Sequence, residues 1–386
     1  MLCEETIYGQ RSWVMESNSV RMAITQIGTH LAPVTFYRDE EVPVQPYHIS
    51  PWQEEACEFS KDASEAILRG DFFCLPFGHA EPNLGVCSHG RTAGMPWSFV
   101  GTESRAGLHG LWVRMENALH TATVMRQFFL RDGENVVYDR TSITGLEGVF
   151  TLGHHAVLRT PQQSKTLLIS TSKQILGMTF PGPFAITASG ERQLLAIAAE
   201  FDTLAGVPSI CGNMTTVDCS AYPIRNGFSD LLQIAVEAEH GQPAWTVAVN
   251  TQEEYLWFSL RDPALLPSTI IWIENCGRRN PPWNGRTSSL GLEDVCSYFD
   301  RGSEVARLPN IFSQRGIKTA QEFLPDETFH LSYIQGVLRL PRDFGRVRNM
   351  QCDSGGALFT DVNGITVRAD VETGFVFGEQ LSNRPG

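Results

Sequence analysis

Short runs of β-branched and aromatic residues recur along most of the chain, each closed by a cluster of Gly, Pro, Asn or Asp. Val20 to Ile27 alternates loosely and is followed, past Gly28, by Ala32 to Tyr37. Trp112 to Tyr138 is rich in the same residue types and breaks at Asp132-Gly133, a hairpin signal. The pattern continues through Val149 to Leu152, Thr166 to Ser170, Gly177 to Phe180, Trp245 to Val249, Tyr255 to Ser259 and Thr269 to Ile273. It closes with Thr328 to Leu340 and a hairpin turning at Asn363-Gly364. One stretch has helical spacing instead. Ser50 suits the N-cap and Pro51 the first turn, Ala56, Phe59, Ala63 and Ile67 form one apolar stripe, and Gly70 stops it. A helix is therefore predicted from Pro51 to Leu68, with shorter ones at Ser229 to Ala235 and Asn310 to Arg315. Neither an internal repeat nor a low-complexity linker is visible. The pattern predicts one all-β domain over residues 1–386, mainly antiparallel, built as a large sandwich or barrel with a few short helices.

Composition narrows the partners. At 386 residues with 42% apolar and 19% charged positions, the chain can bury a core without a disulfide or metal staple. Lys and Arg number 30 against 43 Asp and Glu, a net charge of −13. That balance disfavours nucleic acid and anionic lipid, which need a positive field, and favours a small neutral ligand. Nine widely spaced cysteines without a C-x-x-C pair fit reduced thiols of a cytoplasmic protein. The N-terminus, Met1-Leu2-Cys3-Glu4-Glu5, is acidic and has no apolar h-region, and no apolar run reaches membrane-spanning length. Neither a secretory signal nor a membrane span is expected.

Candidate chemistry lies in three polar clusters. The first runs Leu75-Pro76-Phe77-Gly78-His79-Ala80-Glu81-Pro82-Asn83 and on to Ser88-His89-Gly90-Arg91. The second is Thr151-Leu152-Gly153-His154-His155 at a strand end. Histidines among Gly and Pro between strands sit where function collects, and His exchanges protons near neutral pH. The third spans Trp272 to Arg286, with Trp283, Arg286 and several amides, and leads to Gly291-Leu292-Glu293. Fork donors, amides and tryptophans suit a sugar, whose hydroxyls need paired hydrogen bonds and whose C–H face stacks on an aromatic ring. Apolar and Gly neighbours point to a partly buried Glu293, and burial raises a carboxyl toward the range useful to a general base.

Taken together, His89-Gly90, Gly153-His154-His155 and Gly291-Leu292-Glu293 resemble, in order and rough spacing, motifs of the galactose mutarotase-like (aldose 1-epimerase) superfamily. The Pro-rich stretch before His89 and the opening hairpin around Gly28 are similar too, and the resemblance covers about residues 20 to 340. It implies a β-supersandwich and an isomerase that interconverts sugar anomers without a cofactor or metal. Glu293 would be the base, His155 the acid, and His89 would hold the sugar and share charge. Asn83, Arg91, His154, Asp230, Trp283 and Arg286 are the candidate sugar contacts, Asp230 standing in for the family's hydroxyl-gripping carboxylate. The family's aromatic residues after the second His are replaced by Ala156-Val157-Leu158. His154 and His155 therefore compete for the acid's role. Strand alternation puts Phe150, Leu152 and His154 on an apolar face and Gly153 and His155 on the other, which favours His155. Two other functions on this scaffold are a non-catalytic sugar-binding or sensing protein and a glycoside-cleaving lyase or hydrolase. The last expects a long open groove.

Two further motifs point elsewhere. Cys352-Asp353-Ser354-Gly355-Gly356 has the letters around a serine-protease nucleophile, but no Ala-x-His-Cys segment accompanies it, so a turn between strands is expected. His79, Glu81 and His89 could ligate a divalent metal, yet they lack His-x-His spacing.

Overall fold

The computed structural model describes residues 3–55, 63–81, 85, 87–212, 214–239 and 241–382. Two large antiparallel sheets form the body. The eight-stranded sheet runs in the order Glu200–Phe201, Gln174–Thr179, Phe228–Val236, Ser268–Asn275, Ser288–Cys296, Leu152–His154 and Phe73–Cys74, with Ala156–Arg159 also paired to Ser288–Cys296. The nine-stranded sheet runs Ala221–Tyr222, Leu167–Thr171, Ala244–Asn250, Tyr255–Arg261, Phe329–Arg339, Val136–Thr144, Thr123–Arg131, Leu108–Met115 and Ser98–Arg105. A four-stranded sheet made of Cys3–Ile7, Gln10–Glu16, Val20–Thr25 and Leu31–Phe36 carries the first hairpin.

Alternation along each strand distributes the apolar side chains into three cores. Between the large sheets, Leu232, Ile271, Leu290 and Leu292 of the first meet Ala248, Trp257 and Tyr333 of the second. On the outer face of the eight-stranded sheet, Leu231, Ile270, Trp272 and Val295 are covered by Trp52, Leu68, Phe72, Phe77 and Phe299 from long connections. On the outer face of the nine-stranded sheet, Tyr138, Val247, Phe258 and Ile334 pack under Phe359, Ala369 and Phe375 of the C-terminal segment. The second of these cores surrounds the site described below.

The strand pattern matches the expected all-β class, and the hairpins at Asp132-Gly133 and Asn363-Gly364 are present. Two helix expectations need correction. Ser229 to Ala235 lies in the strand Phe228–Val236, not a helix. All nine of its residues are buried, so both faces mix apolar with buried polar residues and the period-2 signal vanishes. The predicted helix from Pro51 to Leu68 is helical only at Ala63–Ala66 among its described residues, and 51–55 form turns. Trp52 Nε1 donates to the Glu65 carbonyl at 2.9 Å and Gln53 Nε2 to that of Ala66 at 3.2 Å. In a continuous helix, residues 13 apart are separated by about 20 Å, so Trp52 and Glu65 do not lie on one continuous helix. The helix Ile311–Gln314, with Asn310 closing a capping box, agrees with expectation. The Cys352–Gly356 run is a hairpin turn in which Asp353 accepts from Gly355 N and pairs with Arg368. Among the described residues no helix is long and apolar enough to cross a membrane.

Candidate active site

A cavity of about 170 Å³ opens on the outer face of the eight-stranded sheet. Its floor is set by strand register. Trp272 pairs with Gly291 and with Leu231 on its other side, and Ile270 pairs with Glu293, so Leu231, Trp272 and Glu293 share this face. Gly291 is needed here: a Cβ on it would lie 2.5 Å from Glu293 Oε1 and 3.0 Å from Trp272 Cβ. The Gly-x-Glu spacing thus gives the carboxylate its room.

His155 stands between the strands Leu152–His154 and Ala156–Arg159, its N–H donated to the Phe72 carbonyl at 2.9 Å. Its ring stacks on Phe72 with centroids 4.5 Å apart and meets His89 edge-on at 4.9 Å. His155 Nε2 lies 3.3 Å from Glu293 Oε1. His89 caps the short helix Gly90–Gly94 and its ring meets Phe77 and Phe72 edge-on. The remaining walls are Ser64, Glu65, Leu68, Phe184, Arg278, Trp283 and Asp300. Trp283 donates its Nε1 to Glu65, and the Arg278 guanidinium lies over the rings of both Trp272 and Trp283.

Burial controls the protons. Desolvation drives the Glu293 carboxyl well above its ordinary value; nearby Asp300 pushes the same way and Arg278 opposes. Desolvation drives the His155 imidazole well below its ordinary value, helped by His89 and His30. Both shifts disfavour the charged form, so the pair holds one proton that rests on the carboxyl until something stabilises separated charges.

Of the residues expected from sequence, the structure brings Glu293, His155, His89 and Trp283 to this cavity. The others lie elsewhere. His154 faces the inter-sheet core, where its Nδ1 is 2.9 Å from Asp71 Oδ2 and its ring stacks on Tyr333 at 3.9 Å. Asp230 is also turned inward, one position out of phase with Leu231, and accepts from the backbone of Leu194 and Leu195. It therefore braces a loop and does not reach the cavity. Arg286 forms a two-pronged pair with Glu55, and Arg91 sits on the helix after His89; neither lines the cavity. Asn83 lies outside the described residues. His79, Glu81 and His89 do not converge as metal ligands: His79 leans on Asp300, Glu81 accepts from Ser303 N, and His89 faces His155. Among the described residues, the grouping with ligand atoms close enough for a metal is Asp71, Asp139 and His154, in the core and bonded to Arg126 and Gln335. Sequence reading missed Glu65, Phe72, Phe184, Arg278 and Asp300 as walls. Only Arg278 carried a signal, its place in the Trp272 to Arg286 cluster.

The architecture matches solved structures although the sequence is remote from them. A galactose mutarotase-like protein from Clostridium acetobutylicum superposes with a TM-score of 0.56 at 11% identity, covering 88% of this chain and 99% of the other. The chain has a galactose mutarotase-like fold. A candidate mutarotase (YeaD) from Salmonella typhimurium gives a TM-score of 0.57 at 13% identity over 88% and 94%. A candidate aldose 1-epimerase from Klebsiella pneumoniae gives 0.60 at 12% over 88% and 83%. No family sequence model and no curated protein matches the chain. In this mutarotase-like fold the cavity and its Glu293–His155 pair stand on the outer face of one sheet, walled by connections between strands.

Proposed function

We propose that the protein interconverts the anomers of a small sugar by general acid–base ring opening and closure. The observation that carries this reading is the Glu293–His155 pair, 3.3 Å apart in a small cavity lined by aromatic rings. Glu293 takes the proton of the anomeric hydroxyl while His155 delivers one to the ring oxygen. The ring opens, the aldehyde end rotates, and reclosure on either face reverses both transfers. Proton transfer across the pair creates the carboxylate and imidazolium this assignment needs. Trp272, Trp283 and Phe72 supply apolar surface for the sugar's C–H faces. The small volume favours a monosaccharide over a polymer laid in a groove.

The directions of the two shifts support a second assignment of roles, in which neutral His155 is the base and protonated Glu293 the acid. Infrared difference spectra of wild type against Glu293→Gln, each with sugar bound at neutral pH, separate them: the first assignment has the proton on His155 in the complex, and only the second keeps a protonated Glu293 with its carboxylic C=O band. Polarimetry on fresh anomers of several aldoses tests the function itself. Turnover is expected in wild type and absent in Glu293→Gln, and unchanged rates in that variant refute the reading. Sugar binding by calorimetry with no anomer exchange would identify a binding or sensing protein instead.

A further inference from the structure

We propose that the groove between the edge strand Ser98–Arg105 and the C-terminal segment is a second ligand site, which takes a small aromatic carboxylate and holds its charge with Arg140. The groove lies on the outer face of the nine-stranded sheet, so both large sheets stand between it and Glu293. At about 410 Å³ it is larger than the Glu293 cavity.

The first observation is a buried cation without a counter-charge. Arg140 is 8% exposed and forms no ion pair among the described residues, in a chain of net charge −13. Arg126, Arg131 and Arg261, buried like it, each pair with a carboxylate. The Arg140 Nε donates to Ser332 Oγ at 3.1 Å, its Nη2 donates to the Glu379 carbonyl at 2.6 Å, and the guanidinium lies 4.5 Å over the Phe375 ring. Its Nη1 has no partner among the described residues and keeps accessible surface in the groove. All three contacts are neutral, so the charge stays uncompensated, and burial pulls the group below its ordinary pKa. A carboxylate on Nη1 supplies the missing charge through a strong, charge-assisted hydrogen bond.

The second observation is what stands beside that nitrogen. Strand register places Gln127 directly across from Arg140, and Trp112 directly across from Gln127, all on one face. The Gln127 amide and the Trp112 Nε1 line the groove and are not hydrogen-bonded among the described residues. A Cβ on Gly110 would lie 2.7 Å from Trp112 Cη2 and 3.3 Å from Phe129 Cδ1. The glycine thus lets Trp112 lie along its own strand, where it meets Phe129 edge-on at 5.9 Å and makes an aromatic floor. The opposite wall is tied down: Arg131 donates to the Ser382 carbonyl at 2.9 Å, and Glu372 accepts from Ser382 N at 2.9 Å. An aromatic floor, a fixed wall and a few convergent donors make a preformed site for a flat ring with one polar end. One free guanidinium nitrogen beside an amide matches a singly charged carboxylate. A dianionic phosphate would be left partly uncompensated, with Glu103 at the rim.

Benzoate, benzamide, cyclohexanecarboxylate and phenyl phosphate are the probes, titrated into the full chain by calorimetry. Benzoate is expected to bind about tenfold or more tightly than benzamide, which has its shape without the charge. It should also bind more tightly than cyclohexanecarboxylate, which lacks the flat ring, and than phenyl phosphate. Arg140→Gln should abolish the preference for benzoate over benzamide. Because Arg140 also holds the C-terminal segment, Leu108→Trp is the second variant: it fills the groove and leaves every contact of Arg140 in place. That variant should lose benzoate binding with Tm unchanged, whereas Glu293→Gln should bind benzoate as wild type does. Wild type that ignores benzoate, or binds benzamide or phenyl phosphate as well, overturns the proposal. So does benzoate affinity that survives Leu108→Trp or falls in Glu293→Gln.

Discussion

The eight-stranded sheet carries two histidine–carboxylate clusters, back to back, built from consecutive residues. Phe72, His155 and Glu293 face the cavity, while their neighbours Asp71, His154 and Asp294 face the inter-sheet core. The inner cluster is rich in partners. Asp294 pairs with Arg261 at 2.8 Å and accepts from Thr246, Thr269, Ser259 and Tyr333, and Asp71 is held by His154 and Gln335. The outer cluster has one close polar contact between His155 and Glu293, and open volume beside it. The same residue types one position apart therefore serve cohesion on one face and offer unspent proton chemistry on the other. What distinguishes them is the supply of partners, since a buried charge met by several donors is held in place, and one facing a void is available.

The sharpest way to break this contrast is to exchange amides for the adjacent carboxylates. Glu293→Gln should remove anomer exchange, a loss of at least about 10²–10⁴-fold by polarimetry, with thermal unfolding little changed. Asp294→Asn strands Arg261 in the core and should cost on the order of 3–5 kcal/mol in denaturant titration, with turnover per folded molecule largely retained. Activity lost through Asp294 and kept without Glu293 would invert the assignment of the two faces.

The histidines repeat the test at smaller amplitude. His155→Asn is expected to lower turnover by about two to four orders of magnitude, and His154→Asn to act on stability through its broken contact with Asp71. An essential His154 beside a dispensable His155 would mean the outer cavity is not the site. Next comes Gly291→Ala, whose added Cβ displaces the Glu293 carboxylate. A drop of roughly 100-fold, the cost of a shift near 1 Å, should appear in kcat before it appears in Tm.

The smallest effect concerns Asp230, which braces the inner face. Burial pushes its carboxyl up to about 7, against two backbone N–H donors that lower it. An unfolded carboxyl titrates near 3.8, so between these values the native state binds more protons and stability falls as pH rises. Asp230→Asn removes that dependence. Its Tm deficit relative to wild type should be greatest near the acid end of this window and shrink toward its upper end; a constant difference across pH would show that Asp230 is charged throughout.

Much of this was legible in the chain. Short β-rich runs and the turn residues at Asp132-Gly133 and Asn363-Gly364 point to the all-β class, because strand period and turn chemistry are local properties, and the order of His89-Gly90, Gly153-His154-His155 and Gly291-Leu292-Glu293 adds the resemblance to the mutarotase-like family. Alternation even separates His154 from His155, since side chains on a strand change face at each step. Where period carries no information, reading the chain failed: Phe228–Val236 is buried on both faces, and the helical stripe read over Pro51 to Leu68 gives a helix only at Ala63–Ala66 among the described residues. Tertiary structure alone decided that Asp230 falls out of phase with the cavity wall and that Asp300 belongs to it. It also decided that Glu293 meets His155 with neither fully solvated. These depend on which strands pair, in which register, and on how much water their packing excludes, and no local pattern encodes a distance between residues so far apart in the chain.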